Sequence, residues 1–303
     1  MDAILSKAAG LALMIFASYA LKRLGVFRTE DAKAISRIVV NLTLPAALIT
    51  GFRTFQFDAG YLALIVIALT GNFLLLALGL RRAGNKPLEI RALYALNVSS
   101  YNIGTFVLPF VQSFLPVDAL IGVSMFDAGN CPVNSGISYA VVAAGEGGER
   151  VRLRFVADKL ARSVPFMTYL ILMALAVCRI QLPDPVYQIT STVGGANSFL
   201  AMLMIGILFE VRAEREERRL IVEILALRYG GNLILALLVW LLPLPLVIRQ
   251  VSVLALMAPI PSVAMVYCEK CGCKPSVYGV LNSLSIAVSL CLTFLLMIFL
   301  QLS

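Results

Sequence analysis

The ionisable side chain with the most unusual surroundings in this sequence is that of Asp127, which lies in a long apolar stretch. In a helix it would lie about nine residues, or roughly 13 Å, from the nearer end of that stretch. A carboxylate at that depth in a membrane is costly and indicates a functional site. Because desolvation favours the neutral form of a carboxyl group, Asp127 is suited to reversible protonation. The structural alternative is a protonated Asp127 that is hydrogen-bonded to a neighbouring helix.

Two apolar stretches are interrupted by polar residues, glycine and proline. The first interruption covers residues 97–105, with Pro109 just beyond it, and the second covers residues 259–262. Breaks inside a membrane are tolerated only where protein or a water-filled cavity satisfies the freed backbone groups. The N-terminus of a half-helix attracts an anion through its free N–H groups and its dipole. Two breaks in corresponding positions of two halves therefore predict the binding site of a membrane carrier.

The residues predicted to bind the substrate are polar or helix-breaking and lie in these stretches. Asn102 offers amide donors without the desolvation cost of a charge, and Asn130 and Asn134 form a polar cluster near Asp127. The alternative is that small polar residues only hold helices together. The predicted substrate-binding residues are Asn102, Gly104, Pro109, Asp127, Asn130, Asn134, Pro259, Pro261, Ser262 and Asn282, with Asp127 as the proton-coupling candidate.

Arg228 is a cation in another apolar stretch and needs a carboxylate or carbonyl partner there. The sequence leaves open whether it anchors the fold or contributes to the electrostatics of the site.

The sequence lacks the residues that several other kinds of function need. The sequence has no histidine and no Walker-type phosphate loop, which excludes histidine-dependent hydrolases and argues against ATP-driven transport. Three cysteines occur at Cys268, Cys271 and Cys273, but without histidine or a second cysteine pair we expect no metal there. We predict no catalytic residue, no metal and no cofactor.

The composition is that of a membrane protein. Of the 303 residues, 60% are hydrophobic and 14% are charged, against about 25% charged in soluble domains. Apolar stretches long enough to cross a hydrocarbon core of roughly 30 Å predict an all-α membrane protein. The ten predicted transmembrane helices lie at about 4–22, 34–52, 59–80, 91–114, 118–143, 163–181, 187–209, 218–241, 248–267 and 276–301.

The basic residues predict the orientation of the chain. Most of the 25 lie in the odd-numbered joints between spans, which the positive-inside rule makes cytoplasmic. We therefore expect a multi-pass protein of the cell inner (cytoplasmic) membrane with both termini outside. The net charge of +8 then reflects membrane topology, so no nucleic-acid partner is expected. Lys22 and Arg23 follow the first apolar stretch without a convincing cleavage site, so we expect it to be retained as a span.

An internal repeat is indicated by short similarities that occur in the same order in both halves. Residues 70–75 resemble residues 230–235, and Asn130 falls near the position of Asn282. An odd number of spans in each half would invert one copy relative to the other. We predict two inverted five-helix repeats with broken crossover helices four and nine. Their limits are 1–145 for the first repeat, 146–162 for a cytoplasmic linker and 163–303 for the second repeat.

Several segments together resemble motifs of the auxin efflux carrier family, and their spacing is more specific than any one of them. Residues 41–49 are similar to the family's Leu-Pro-Ala-Leu motif of span two, and residues 102–110 to its Asn/Gly to Gly-Leu-Pro segment of span four. Residues 126–130 are similar to its Asp-Ala-Gly-Asn motif of span five, and residues 257–262 to its proline-rich break of span nine. Two departures are Val107, where the family usually has glycine, and a seventh span without the proline that often mirrors Pro45.

The resemblance implies a ten-span, inverted-repeat carrier related in architecture to bile-acid transporters and sodium/proton antiporters. Spans one, two, six and seven would form a scaffold, and the other six would form a moving domain. Characterised bacterial members move small carboxylates such as malonate or malate, and plant members export auxin. Asn102 matches a family asparagine that faces the substrate carboxylate. Plant members are homodimers, so a homodimer is the assembly expected here.

We predict a secondary carrier that moves a small organic anion, a mono- or dicarboxylate, across the cytoplasmic membrane by alternating access. Its expected partners are this anion and membrane lipid. One alternative is a sodium-coupled bile-acid-type symporter, although the sequence lacks the acidic, Gln- and Asn-rich cation site of such proteins. A non-transporting membrane receptor is another alternative. An enzyme acting on lipid would need a nucleophile, metal cluster or phosphate site that the sequence does not offer.

Overall fold

A computed structural model of the chain describes residues 2–53, 58–115, 117–144, 157–158, 161–209 and 217–299. These residues form helices and contain no strand, as predicted for an all-α protein. The predicted linker at 146–162 lies largely outside the described residues. The helices are α1 (Asp2–Arg23), α2 (Asp31–Ile38), α3 (Leu44–Phe52), α4 (Leu62–Ala83), α5 (Leu88–Val98), α6 (Leu108–Phe114), α7 (Val117–Pro132), α8 (Ser138–Ala144), α9 (Val164–Val177), α10 (Asp184–Gly195), α11 (Asn197–Leu208), α12 (Arg218–Leu241), α13 (Leu246–Leu256), α14 (Ser262–Lys270) and α15 (Pro275–Phe299).

Several helices are long and apolar enough to cross a membrane. In the described part of the chain there are five of this length, namely Asp31–Phe52, Ala59–Ala83, Asp184–Leu208, Arg218–Leu241 and Pro275–Met297. Shorter apolar helices cover Ile103–Gln112, Val164–Val177 and Leu246–Leu256. On α12 the side chains of Leu233, Ile234, Leu237, Leu238 and Leu241 are exposed, as expected of a face that contacts lipid. The chain is a multi-pass helical membrane protein.

The first predicted break is present between α5 and α6. Helix α5 ends at Val98, after which Ser99 is extended and Ser100 has a φ of +63°. A φ in this region is uncommon for a residue other than glycine and stops the helix. Helical structure resumes with the π-helical turn Ile103–Val107, which leads into α6.

The second predicted break is present between α13 and α14. Helix α13 ends at Leu256, and α14 begins at Ser262. Pro259 and Pro261 lie between them and cannot donate the backbone hydrogen bonds that a continuous helix needs. Pro261 has an extended backbone and directly precedes the first turn of α14.

The predicted second and seventh spans are also irregular, which the sequence did not indicate. A π-helical turn, Val39–Thr43, separates α2 from α3, and Ala196 separates α10 from α11. Close packing accompanies these irregularities: a Cβ atom on Gly194 would lie 2.7 Å from the backbone nitrogen of Ala47. The backbones of α3 and α10 can approach this closely only because residue 194 is a glycine.

The helices form two packed groups. In the first group α1 packs against α11, α3 against α9 and α10, and α2 against α11. In the second group α4 packs against α5, α7 and α12, and α13 packs against α7 and α12. The groups meet where α3 and α9 contact α7 and where α11 contacts α6. This junction positions the candidate site.

Candidate functional site

A cavity of about 360 Å³ lies at the junction of the two helix groups. The first group contributes residues such as Ser36, Leu44 and Met204 to its lining, and the second contributes α7 and both breaks. The predicted substrate-binding residues that line this cavity are Asn102, Gly104, Asp127, Asn134, Pro261 and Ser262.

The other four predicted substrate-binding residues are outside the cavity lining. Asn130 and Pro259 make hydrogen bonds at the point where the broken helices meet. Pro109 lies in the first turn of α6, and its carbonyl oxygen accepts a hydrogen bond from Ser198. Asn282 is buried, and its side-chain oxygen has no hydrogen-bond partner among the described residues.

The two breaks are hydrogen-bonded to the helices beside them. The backbone N–H of Tyr101 donates to Oδ1 of Asn130 at 3.1 Å, and Nδ2 of Asn130 donates to the carbonyl oxygen of Tyr101 at 2.9 Å. At the other break, the backbone N–H of Ile260 donates to Oγ of Ser285 at 3.0 Å. Side chains of α7 and α15 thus satisfy backbone groups that the breaks leave without helical partners.

The helix N-termini that follow the breaks both face the cavity. Ile103, Gly104 and Thr105 of the π-helical turn line it, as do Ser262 and Val263 at the start of α14. The first N–H groups of a helix have no acceptor within that helix and carry the positive end of its dipole. The cavity is therefore polarised in favour of a negatively charged group.

Asn102 adds a side-chain donor to these backbone groups. Its Oδ1 accepts a hydrogen bond from Oγ1 of Thr105 at 2.5 Å, while its NH₂ group makes no hydrogen bond to the described residues. Asn102 is 7% exposed and lines the cavity. Its amide N–H groups are thus available to an anion that enters.

Asp127 is the one charged side chain in the described lining of the cavity. Its Oδ1 accepts from Nδ2 of Asn130 at 3.0 Å, and its Oδ2 accepts from the hydroxyl of Tyr169 at 3.1 Å. No cation pairs with it among the described residues. Because Tyr169 belongs to α9 and Asp127 to α7, their hydrogen bond joins the two helix groups.

The partners of Arg228 are backbone carbonyl groups, one of the two kinds of partner that the sequence analysis expected. Its side chain is fully buried in α12, and its two terminal nitrogens donate to six backbone carbonyl oxygens. The acceptors belong to Asn97, Val98, Ser99, Ser100, Ala258 and Pro259, at distances from 2.8 to 3.1 Å. Arg228 therefore binds the C-terminal end of α5 and the residues that follow α5 and α13, and it does not line the cavity.

Some residues of the site were missed by the sequence analysis. Tyr101 lines the cavity and its hydroxyl donates to Oδ1 of Asn232 at 2.9 Å, and Tyr169 binds Asp127. A buried tyrosine usually finds a partner for its hydroxyl, but the sequence does not say which one. Their roles depend on helices that are distant in sequence.

A second polar cluster lies at the other end of the junction. Oγ1 of Thr43 donates to Oδ1 of Asn197 at 3.0 Å, and Nδ2 of Asn197 donates to Oε1 of Gln112 at 3.2 Å. Nε2 of Gln112 in turn donates to the carbonyl oxygen of Gly194 at 3.1 Å. Gln112 belongs to α6 and the other three residues to the first helix group, so the two bonds of Gln112 hold the groups together. A smaller cavity of about 180 Å³ adjoins Gln112 and Gly194.

The three clustered cysteines are buried thiols. Cys268, Cys271 and Cys273 are each less than a tenth exposed, and none of the three forms a disulfide. A hydrogen bond with Cys268 and burial raise the pKa of the Cys273 thiol well above its usual range, which disfavours the reactive thiolate. Within the described residues, no group of three or more His, Cys, Asp or Glu side chains could hold a metal ion.

The fold is that of a helical membrane protein with a polar cavity at two broken helices. The sequence model of the family described as membrane transport protein matches residues 4–145, somewhat under half of the chain. Residues 4–145 thus resemble this family, which supports the similarity of the motifs to those of the auxin efflux carriers and indicates a membrane transporter. Comparison with curated proteins gives no match.

Proposed function

We propose that this protein is a secondary carrier for a small carboxylate, with its binding site in the cavity at the two breaks. The observation that carries the proposal is the convergence of two helix N-termini and the free NH₂ group of Asn102 on one cavity. Charge-assisted hydrogen bonds from such donors suit a carboxylate. Within the described lining there is no lysine or arginine, so the anion is bound by dipoles and amides.

Asp127 couples binding to a proton in this proposal. A carboxylate substrate and an ionised Asp127 would be like charges in one poorly solvated cavity, which strongly disfavours both being ionised together. Binding is therefore favoured when Asp127 is protonated. The anion and a proton would then cross the membrane together, which makes the carrier dependent on the pH gradient.

The two ends of the junction support alternating access as the mechanism. The larger cavity extends to Ser36 and to Ser163, which lie near the starts of α2 and α9. By the positive-inside rule those starts are cytoplasmic. At the opposite end, the bonds of Gln112 to Asn197 and Gly194 close the junction. The protein thus corresponds to an inward-facing carrier whose outer side is closed, in a cytoplasmic membrane with both termini outside.

We include ten spans and two inverted repeats in the proposal. The support is that similar hydrogen bonds occur at both breaks, since Asn130 binds the backbone of Tyr101 and Ser285 binds that of Ile260. Counting each broken or irregular pair of helices as one span gives ten. A homodimer in lipid, expected from the family, remains part of the proposal.

Flux measurements in proteoliposomes test this function. A panel of monocarboxylates and dicarboxylates that includes malonate and malate would be offered with a proton gradient, with a sodium gradient and with neither. We expect saturable carboxylate flux that a proton gradient accelerates. Flux that depends on sodium would favour the bile-acid-type symporter instead. Binding of a carboxylate without flux would indicate a receptor, and the absence of both would refute the carboxylate site.

A further inference from the structure

Arg228 is a buried charge that has no role in the proposed carrier mechanism. It is 0% exposed, and no carboxylate pairs with it among the described residues. It does not line the cavity either. Tyr101, which does line the cavity, lies beside it, with the guanidinium carbon 5.5 Å from the centre of the tyrosine ring. Arg228 is therefore not the cation that an entering anion would meet.

The hydrogen bonds of Arg228 are divided between the two breaks. One terminal nitrogen donates to the carbonyl oxygens of Asn97, Val98 and Ser99, all at 3.1 Å. The other donates to Ser100 at 2.8 Å on the first break, and to Ala258 at 2.8 Å and Pro259 at 3.0 Å on the second. One rigid group thus binds the end of α5 and the segment that follows α13 at the same time.

The positive charge of Arg228 is complementary to the carbonyl groups at the two breaks. The last carbonyl groups of a helix have no donor within that helix and carry the negative end of its dipole. In a membrane interior without water, the carbonyl groups at the end of α5 and those of the segment after α13 would repel one another and lack partners. A guanidinium group satisfies both because its donors form a planar fork, whereas an ammonium group has three donors at one point.

We propose that Arg228 is the positioning residue of the binding site. It joins the negative end of α5 to the segment that follows α13, and thereby keeps the positive ends at Ile103 and Ser262 directed into the same cavity. The effect on substrate is indirect, through the geometry of the two breaks. This inference rests on the proposed carboxylate site for its effect on transport, but its effect on the breaks does not depend on any substrate.

Hydrogen–deuterium exchange of the purified protein tests the structural part. In Arg228→Lys we expect faster exchange in the peptides that cover residues 97–105 and 256–264, with no change across α4. Arg249→Lys is the matched control, because Arg249 lies on α13 and binds the carbonyl oxygen of Trp240 away from both breaks. Unchanged exchange, or faster exchange at only one break, would overturn the proposal. This measurement tests whether Arg228 stabilises both breaks, even if the wild type transports no carboxylate.

Transport kinetics in proteoliposomes test the functional part with radiolabelled malonate or malate. Mispositioned donors weaken binding, so we expect Arg228→Lys to raise KM by about tenfold, while Arg249→Lys leaves it within about twofold of the wild type. A merely structural role would reduce the amount of active protein and hence Vmax, but would leave KM unchanged. An unchanged KM in folded Arg228→Lys would therefore refute the positioning role while leaving the proposed carrier function intact.

Discussion

The backbone N–H of Asn102 donates a 3.0 Å hydrogen bond to the carbonyl oxygen of Pro259. This bond directly joins the two broken helices, which come from opposite halves of the chain. Because the same carbonyl oxygen also accepts from Arg228, a displacement of one break is transmitted to the other. The two helix N-termini therefore face the cavity as one unit.

Replacing Asn102 with alanine removes the side-chain donor that is free in the cavity. Hydrogen bonds to charged groups contribute about 1.5–3 kcal/mol, so we expect Asn102→Ala to weaken substrate binding roughly 10- to 100-fold. Asn102→Asp should weaken it further, because a carboxylate there would repel the anion. The measurement is the KM for carboxylate flux in proteoliposomes. Asn41→Ala is the control, since Asn41 is exposed and binds only the carbonyl oxygen of Arg37. Wild-type transport by Asn102→Ala would count against the site.

Replacing Asp127 with asparagine keeps its shape but makes it permanently neutral. If anion binding needs a neutral residue 127, wild-type affinity falls as pH rises and Asp127 loses its proton. Asp127→Asn should then bind with an affinity that no longer depends on pH, and should lose acceleration by a proton gradient. Asp184→Asn removes a carboxylate whose ion pair with Arg53 is largely exposed, so it should behave like the wild type. A flat wild-type profile, or an unchanged profile in Asp127→Asn, would exclude the coupling role.

Gln112 should control access from the outer side, since its bonds to Asn197 and Gly194 close that end of the junction. Cys131 lines the cavity and serves as a reporter once the other five cysteines are replaced with alanine. We expect Gln112→Ala to increase labelling of Cys131 by a membrane-impermeant thiol reagent added outside. Gln188→Ala, an exposed change on α10, should not. Equal outside labelling in the two variants would show that Gln112 does not close this end.

Gly129 permits the closest approach of α7 to α4. A Cβ atom at this position would lie 2.9 Å from the Cα atom of Ile65, a contact that only backbone movement relieves. Gly129→Ala should therefore destabilise the protein by about 1–3 kcal/mol. Gly230→Ala is the matched control in α12, where nothing lies within 4 Å of the added atom and alanine is the better helix former. Thermal unfolding in detergent compares them, and an equal midpoint for both variants would contradict this view of the packing.

Local chemistry made some of the site predictable. Prolines and a polar stretch stop helices wherever they occur, so the breaks at Ser99 and Pro259 follow from the sequence. The structure places Asn102, Asp127 and Pro261 at one cavity. The π-helical turn Val39–Thr43 carries no comparable signal, because its residues also suit an ordinary helix.

The sequence by itself determined a helical membrane protein with two interrupted helices and with motifs that resemble those of the auxin efflux carrier family. Hydropathy and helix-breaking residues act locally, so they can be read from the order of the residues. Only the tertiary structure decided which groups these residues bind: that Arg228 donates to carbonyl oxygens of both breaks, that Asn130 binds the backbone of Tyr101, and that Tyr169 binds Asp127. The physical reason is that buried polar groups take partners from whichever helices pack beside them, and that packing is set by the whole chain.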